Sequence, residues 1–272
     1  METKHKREMD MGKIVSFANQ KGGVGKTTTC VNMTAYLASM GKKCLLIDID
    51  AQGNATTGLG LNKTELQYSA YDVLTCETPL MDAVVKTKID NLDVLPASVD
   101  LAGAEVDLVY VKRREYVLSE ALDVAKKSYD YIMIDCPPSL GLITINALVA
   151  SDSVIIPIQS EYYALEGLAQ LMNTIKLVKK HLNENLKVEG VVLTMNDTRA
   201  LMAKQISEEI KKYFGKCAFE TKIPRNIRLA EAPSHGVPIM FHDASSKGAK
   251  AYFALTEEFL ERQPKKVKEY KK

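Results

Sequence analysis

Little in this chain of 272 residues is unbalanced enough to name a partner by itself. Its 36 Lys+Arg face 34 Asp+Glu, and a net charge of +2 neither announces nor excludes a polyanionic partner, so any nucleic-acid surface must be local. The five cysteines, Cys30, Cys44, Cys76, Cys136 and Cys217, include no C-x-x-C pair. That spacing argues against a disulfide frame or a zinc site and for a reducing compartment. His5, His181, His235 and His242 show no metal-ligand spacing. No apolar run approaches the roughly 18 residues that span a bilayer, and "METKHKREMD" has no hydrophobic core after its charges, so neither a membrane span nor a signal peptide is expected. The expected location is cytoplasmic. Gly/Ser/Pro linkers and internal repeats are missing too, which implies one domain over residues 13–262. It is flanked by an expected disordered extension, 1–12, and a basic disordered tail, 263–272.

What is present is an alternation of short β-branched runs with longer segments of helical period. The pattern predicts strands over 13–18, 43–49, 92–97, 129–136, 153–159, 188–195 and a short piece at 219–224. Helices are predicted over 26–40, 98–109, 114–127, 141–150, 162–182, 200–213 and 246–262. Strands this continuously apolar are buried on both faces. The fold class is therefore α/β, three layers with a mostly parallel twisted sheet between helices.

The chemistry centres on "NQKGGVGKTTT", residues 19–29, which follows the first strand and opens the first helix. It nearly spells the phosphate-loop pattern G-x-x-x-x-G-K-[ST], but Gln20 stands in the first glycine's place and Lys21 follows it. Glycines at 22, 23 and 25 allow the backbone to approach a phosphate, and the helix start aims N–H groups and a positive dipole end at it. The pattern makes Gly22, Gly23, Val24, Gly25, Lys26, Thr27 and Thr28 the candidate nucleotide cradle. Lys26 would reach the terminal phosphates and Thr27 would ligate magnesium. Two acidic motifs end other strands: "LLIDIDAQGN" with Asp48 and Asp50, and "YIMIDCPPSLG" with Asp135. Asp135 and Asp48 are candidate metal carboxylates. Asp50 is expected to orient an attacking water, because a carboxylate of ordinary pKa is a poor base at neutral pH.

Taken with "LAGAEVDLV", "EYYALEGLAQL", "IPRNIRLAEAPSHGVPI" and "SKGA", these motifs make the chain resemble the deviant Walker A ATPases, within them the ParA/Soj chromosome-partitioning family. The resemblance runs from Met11 to about Leu260. It implies a P-loop NTPase fold that uses ATP and Mg2+, with low intrinsic ATPase turnover. It makes Lys21 the signature lysine, which reaches the phosphates held by the other subunit of an ATP-dependent homodimer. Met195, Asn196, Pro224, Arg225 and Asn226 match adenine-side positions.

The same resemblance implies non-specific binding of double-stranded DNA by the ATP dimer, at the nucleoid, and resetting by a ParB/Spo0J-type centromere-binding protein. Candidate DNA contacts are Arg199, Arg228, Lys247 and Lys250. Ala200, Leu201, Ser245 and Ser246 depart from the usual pattern around them, and Ala51 replaces a common proline. The alternative is a MinD-like membrane-cycling ATPase of division-site placement. After Leu260 only Val267 and Tyr270 could form the apolar face its amphipathic anchor requires, so no stable membrane anchor is expected. Cys136 alone is too few for a subunit-bridging cluster like that of the nitrogenase iron protein.

Overall fold

The computed structural model describes residues 11–161, 164–197 and 199–264. Most of the expected terminal extension and tail therefore lie outside the described residues. In chain order the elements are β1 (Lys13–Phe17), α1 (Lys26–Ser39), β2 (Cys44–Asp48), α2 (Asn54–Gly58), α3 (Ala70–Leu74), α4 (Leu80–Ala83), β3 (Val85–Lys86) and β4 (Leu92–Leu95). They continue with α5 (Ala104–Asp107), α6 (Val117–Leu122), β5 (Tyr131–Asp135), α7 (Leu142–Ala150), β6 (Ser153–Gln159), α8 (Ala164–His181) and β7 (Lys187–Thr194). The chain closes through α9 (Leu201–Phe214), α10 (Ile227–Glu231), α11 (Ile239–His242) and α12 (Lys247–Glu261).

Seven strands form one sheet in the order β3-β4-β2-β5-β1-β6-β7, parallel throughout except that β3 runs antiparallel to β4. Side chains alternate across it. Ile14, Leu45, Ile47, Ile132, Ile134, Val154 and Ile156 face a core closed by α3, α4 and α6 to α9, whereas Val15, Phe17, Leu46, Met133 and Ile155 face α1, α11 and α12. This two-residue alternation with both sides apolar is what a sheet covered on both faces requires. The helix α1 runs beneath the middle of the sheet, buried along most of its length.

Three sequence expectations need correction. Residues 219–224 form no strand; only Phe219 N–H to Val191 O (2.9 Å) and Ile223 N–H to Leu193 O (2.8 Å) tie them to β7. Beyond β7, Pro224 is joined by a single parallel bridge to Asn196, whose N–H is bound to the Ile223 carbonyl (2.9 Å). The expected helix 98–109 is a series of short turns around α5, buried through Leu101, Ala104 and Leu108. The expected helix 114–127 shrinks to α6 and a turn at Ala125–Lys127. The five-residue helices α2, α3 and α10 were invisible to periodicity because one turn and a half carries no period.

Gly190 lets this edge close. A Cβ there would fall 2.3 Å from Phe219 Cε2 and 2.8 Å from the Cys217 carbonyl. Gly190→Ala should therefore cost about 1–3 kcal/mol of stability, seen as a lower denaturant midpoint at unchanged slope. An unaltered midpoint would show that Phe219 can move aside freely.

Candidate functional site

The glycine-rich turn leaves β1 where the strand order reverses direction, between β5 and β6, the crevice where open parallel sheets receive ligands. Gly23 (φ 73°) and Gly25 (φ 82°) adopt left-handed backbone that side-chain-bearing residues rarely take. The turn is fastened from both sides. Asn19 accepts from the Lys21 N–H (3.0 Å) and donates to the Pro157 carbonyl at β6 (2.7 Å), while the Thr194 hydroxyl at the end of β7 donates to the Val24 carbonyl (2.7 Å). No side chain caps the start of α1. Its first N–H groups are thus left for an anion.

Around that helix start lies a cleft of about 490 Å³ bordered by Gly22, Lys26, Thr27, Asp50, Gln52 and Pro138. A second cavity of about 400 Å³ adjoins it and shares Gly25, Thr28 and Met195. The structure brings four of the five expected adenine-side residues, Met195, Pro224, Arg225 and Asn226, to that second cavity. Asn196 is buried beside it, its N–H bound to the Ile223 carbonyl (2.9 Å) and its Oδ1 accepting from Ser160 (3.1 Å). Asn226 caps α10 through the Arg228 N–H at 2.8 Å.

Three charges are buried beneath the turn. Lys26 is 6% exposed and its Nζ donates to the Lys21 carbonyl at 3.3 Å; burial lowers its pKa, with Asp135 chief among the groups opposing that shift. Asp48 Oδ2 accepts from both the N–H and the hydroxyl of Thr56, each at 2.8 Å, and its Oδ1 accepts from the Asp50 N–H at 3.2 Å. Burial nevertheless pushes Asp48 up to about 6. Asp135 is fully buried, and among the described residues neither carboxylate oxygen has a hydrogen-bond partner. Burial, then Asp48, raises its pKa well above the ordinary range; Thr27 and Lys26 stand near enough to oppose this without completing a hydrogen bond. Asp50 sits at the cleft wall, Oδ1 accepting from the Gln52 N–H at 3.0 Å.

Of the two expected metal carboxylates, then, Asp48 is engaged in holding the 50–56 turn and Asp135 is not engaged at all. Lys21 does not point to its own cleft. Its Nζ pairs with Glu161 at 2.5 Å, both side chains partly exposed (37% and 47%). Glu161 was missed, although it follows the end of β6 as Asp135 ends β5. Thr56 was missed as well; no motif marks a hydroxyl whose task is to hold a carboxylate.

Of the four expected DNA residues, the two arginines are held by carboxylates. Arg199 is 90% exposed and forks onto Asp197 (3.1 and 3.2 Å). Arg228 lies between Glu231 (2.8 Å) and Asp243 (3.6 Å). Lys247 and Lys250 are exposed in the first turn of α12, beside α10, where Gly248 packs on Leu229.

The raised pKa of Asp135 has a definite sign. The folded chain holds that proton more tightly than the unfolded one, so its contribution to stability is present at low pH and lost as pH rises through the folded value. In nucleotide- and metal-free protein, Asp135→Asn should gain stability relative to wild type progressively as pH rises above the ordinary carboxylate range, followed by denaturant midpoints. A difference constant with pH would mean that the carboxyl titrates normally.

Comparison with known proteins agrees with this geometry. The family model described as an AAA domain matches residues 12–188. The sporulation initiation inhibitor protein Soj of Bacillus subtilis is 57% identical over 91% of this chain and 98% of its own length. The chromosome partitioning protein ParA of Myxococcus xanthus is 52% identical over 93% of this chain and 89% of its own. Among solved structures, cobyrinic acid a,c-diamide synthase from Mycobacterium smegmatis with bound ADP and magnesium superimposes with a TM-score of 0.80 at 35% identity, covering 92% of this chain and 94% of the other. A phosphate-loop site on a seven-stranded, mostly parallel sheet and relatives of this identity over nearly the whole length place the chain in the Soj/ParA family of chromosome-partitioning ATPases, a branch of the P-loop NTPases.

Proposed function

We propose that this chain binds ATP with Mg2+, dimerises around it, binds DNA without sequence preference as the dimer, and is reset by slow hydrolysis that a ParB/Spo0J-type partner accelerates. The observation that carries the reading is the pairing of an uncapped, glycine-lined helix start with a buried, unpartnered Asp135 beside Lys26 and Thr27. An ionisable group left buried without partners in a monomer is best explained by a ligand that supplies them. Among the described residues no cluster of three or more His, Cys, Asp or Glu could hold a metal alone. That suits magnesium, which is usually shared between few protein groups, waters and phosphate oxygens.

Each residue then has a task. Gly22 to Thr28 cradle the phosphates with backbone N–H groups and Lys26 neutralises them. The Thr27 hydroxyl and Asp135 would hold the magnesium, which would offset charge on the phosphate oxygens. Asp48 fixes the turn through Thr56 and so positions Asp50, whose Oδ2 is left to orient the attacking water. Met195, Asn196, Pro224, Arg225 and Asn226 form the adenine side.

Lys21 acts in the partner subunit. Its pair with Glu161 is half-exposed, so separating it costs under about 1 kcal/mol, which ATP bound across the interface can repay. Lys21→Ala should leave nucleotide binding within about twofold and abolish the ATP-dependent dimer. Light scattering with ATP checks this, and a persisting dimer would remove the proposed role.

Arg199, Arg228, Lys247 and Lys250 are the proposed phosphate contacts of DNA. Lysines in the first turn of α12 oppose the helix dipole, an arrangement that intrahelical stability does not favour and an anion would. The carboxylates around Arg199 and Arg228 must yield to DNA phosphates, so binding should be strongly salt-dependent. The similarity to Soj and ParA favours this reading over membrane cycling, and no described helix is long and apolar enough to cross a membrane.

The deciding experiment is phosphate release with and without DNA and the partner's basic amino-terminal peptide. Stimulation requiring both is expected, with Asp50→Ala lowering release by about 100-fold or more and prolonging DNA retention in ATP. Release unaffected by DNA and peptide would overturn the partition cycle, and normal release by Asp50→Ala would overturn its water-orienting role.

A further inference from the structure

The phosphate turn contains peptide groups that glycine leaves free to rotate. Gly25 takes a left-handed backbone (φ 82°) and carries no Cβ, so the two peptide planes that meet at it can turn over at little steric cost. Which way they face decides what the turn can bind. In a planar trans unit the C=O and the N–H point in opposite directions, so the Gly25 and Lys26 N–H groups face an anion only while the Val24 and Gly25 carbonyls are held away from it. Turned over, the same planes would present oxygens to the phosphate and repel it.

Both carbonyls are held, and the hydroxyls that hold them depend on remote parts of the chain. The Thr194 hydroxyl, buried at the end of β7, donates to the Val24 carbonyl at 2.7 Å, and its side chain lies 3.6 Å from where a Gly25 Cβ would stand. The Gly25 carbonyl accepts from the Thr29 N–H (2.9 Å) and from the Thr29 hydroxyl (2.7 Å). That hydroxyl has one proton, already committed to Gly25, so the Tyr252 hydroxyl, 3.1 Å from Thr29 Oγ1, is the donor of the pair. A donor behind Thr29 strengthens the bond in front of it and selects the rotamer that reaches back to Gly25. The Gly25 and Lys26 N–H groups, by contrast, have no partner among the described residues.

The two outer hydroxyls stand on elements that do not carry the turn. Tyr252 is buried in α12, whose first turn is tied to α1 by a bond from the Tyr36 hydroxyl to the Ala249 carbonyl (2.9 Å). Thr194 is followed by Met195 in left-handed backbone (φ 49°), a conformation that a residue with a side chain keeps only where its surroundings impose it. Both Thr194 and Tyr252 border the second cavity, on the proposed adenine side.

We propose that Thr194 and Tyr252 are positioning residues of the nucleotide site: their hydroxyls, the second acting through Thr29, hold two successive peptide groups so that the Gly25 and Lys26 N–H groups are aimed at phosphate before it binds. This rests on the nucleotide reading of the cleft, and it makes β7 and α12 determinants of the turn's affinity.

Val24–Gly25 is the only Val-Gly step in the sequence, so carbonyl-labelled valine combined with nitrogen-labelled glycine reports that one peptide group by NMR in the full chain. In nucleotide-free wild type it should give one sharp resonance. In Thr194→Val and in Tyr252→Phe it should broaden or split, and titration calorimetry should show ADP with Mg2+ binding each about fivefold more weakly. Thr194→Ser, which keeps the hydroxyl, should recover both the resonance and the affinity. Wild-type affinity in either variant would overturn the role of the residue it replaces. Weaker binding with the resonance unchanged would overturn the proposal as well, since the loss would then come from packing and not from the turn. A wild type that binds no ADP would refute the nucleotide reading and this one with it, a result distinct from equal binding by wild type and variants.

Discussion

Parallel pairing of β2 with β5 sets Asp48 directly opposite Asp135 at the ends of both strands, in a layer water does not reach. Two carboxylates so placed cannot both be left to repel each other, and the rest of the site follows from how each is handled. Asp48 is met by three hydrogen bonds from the 50–56 turn, which also settles where Asp50 stands. Asp135 has only Lys26 and Thr27 nearby, both from the first turn of α1. The phosphate turn and the acidic strand ends are thus held together by an electrostatic debt that remains open until a ligand arrives. Such a site trades stability for readiness.

That asymmetry gives the proposed roles of Lys26 and Lys21 a physical basis. Lys26 is buried and committed to its own cleft, whereas Lys21, five residues earlier on the same turn, rests on Glu161 at the surface. A loose surface pair stores little energy and can be exchanged for a stronger one across an interface. The same economy recurs at Arg199 and Arg228, which are held by carboxylates rather than free in solvent. On the proposed reading, each cation stays paired until a stronger polyanion displaces its carboxylate.

The architecture and the phosphate site are legible in the sequence. Long runs of alternating and helical period carry enough repeats to be read without tertiary help, and β1, α1, β2, β5, β6, β7, α8, α9 and α12 lie within a few residues of their predicted spans. The glycines, Lys26 and Thr27 are contiguous, so their joint chemistry is written in one dimension. What depends on neighbours distant in sequence emerges only in three dimensions: that Asp48 is satisfied by Thr56 and Asp135, among the described residues, by no hydrogen bond, that Lys21 rests on Glu161, and that Arg228 lies between two carboxylates. The tertiary structure also shows 219–224 as a loose edge, with the Phe219 ring filling the space beside Gly190, and 98–109 as a series of short turns. Hydrogen bonds and desolvation act between atoms a few ångströms apart, and for these groups that proximity is created by the register of parallel strands and the helices packed on them, which no local pattern encodes.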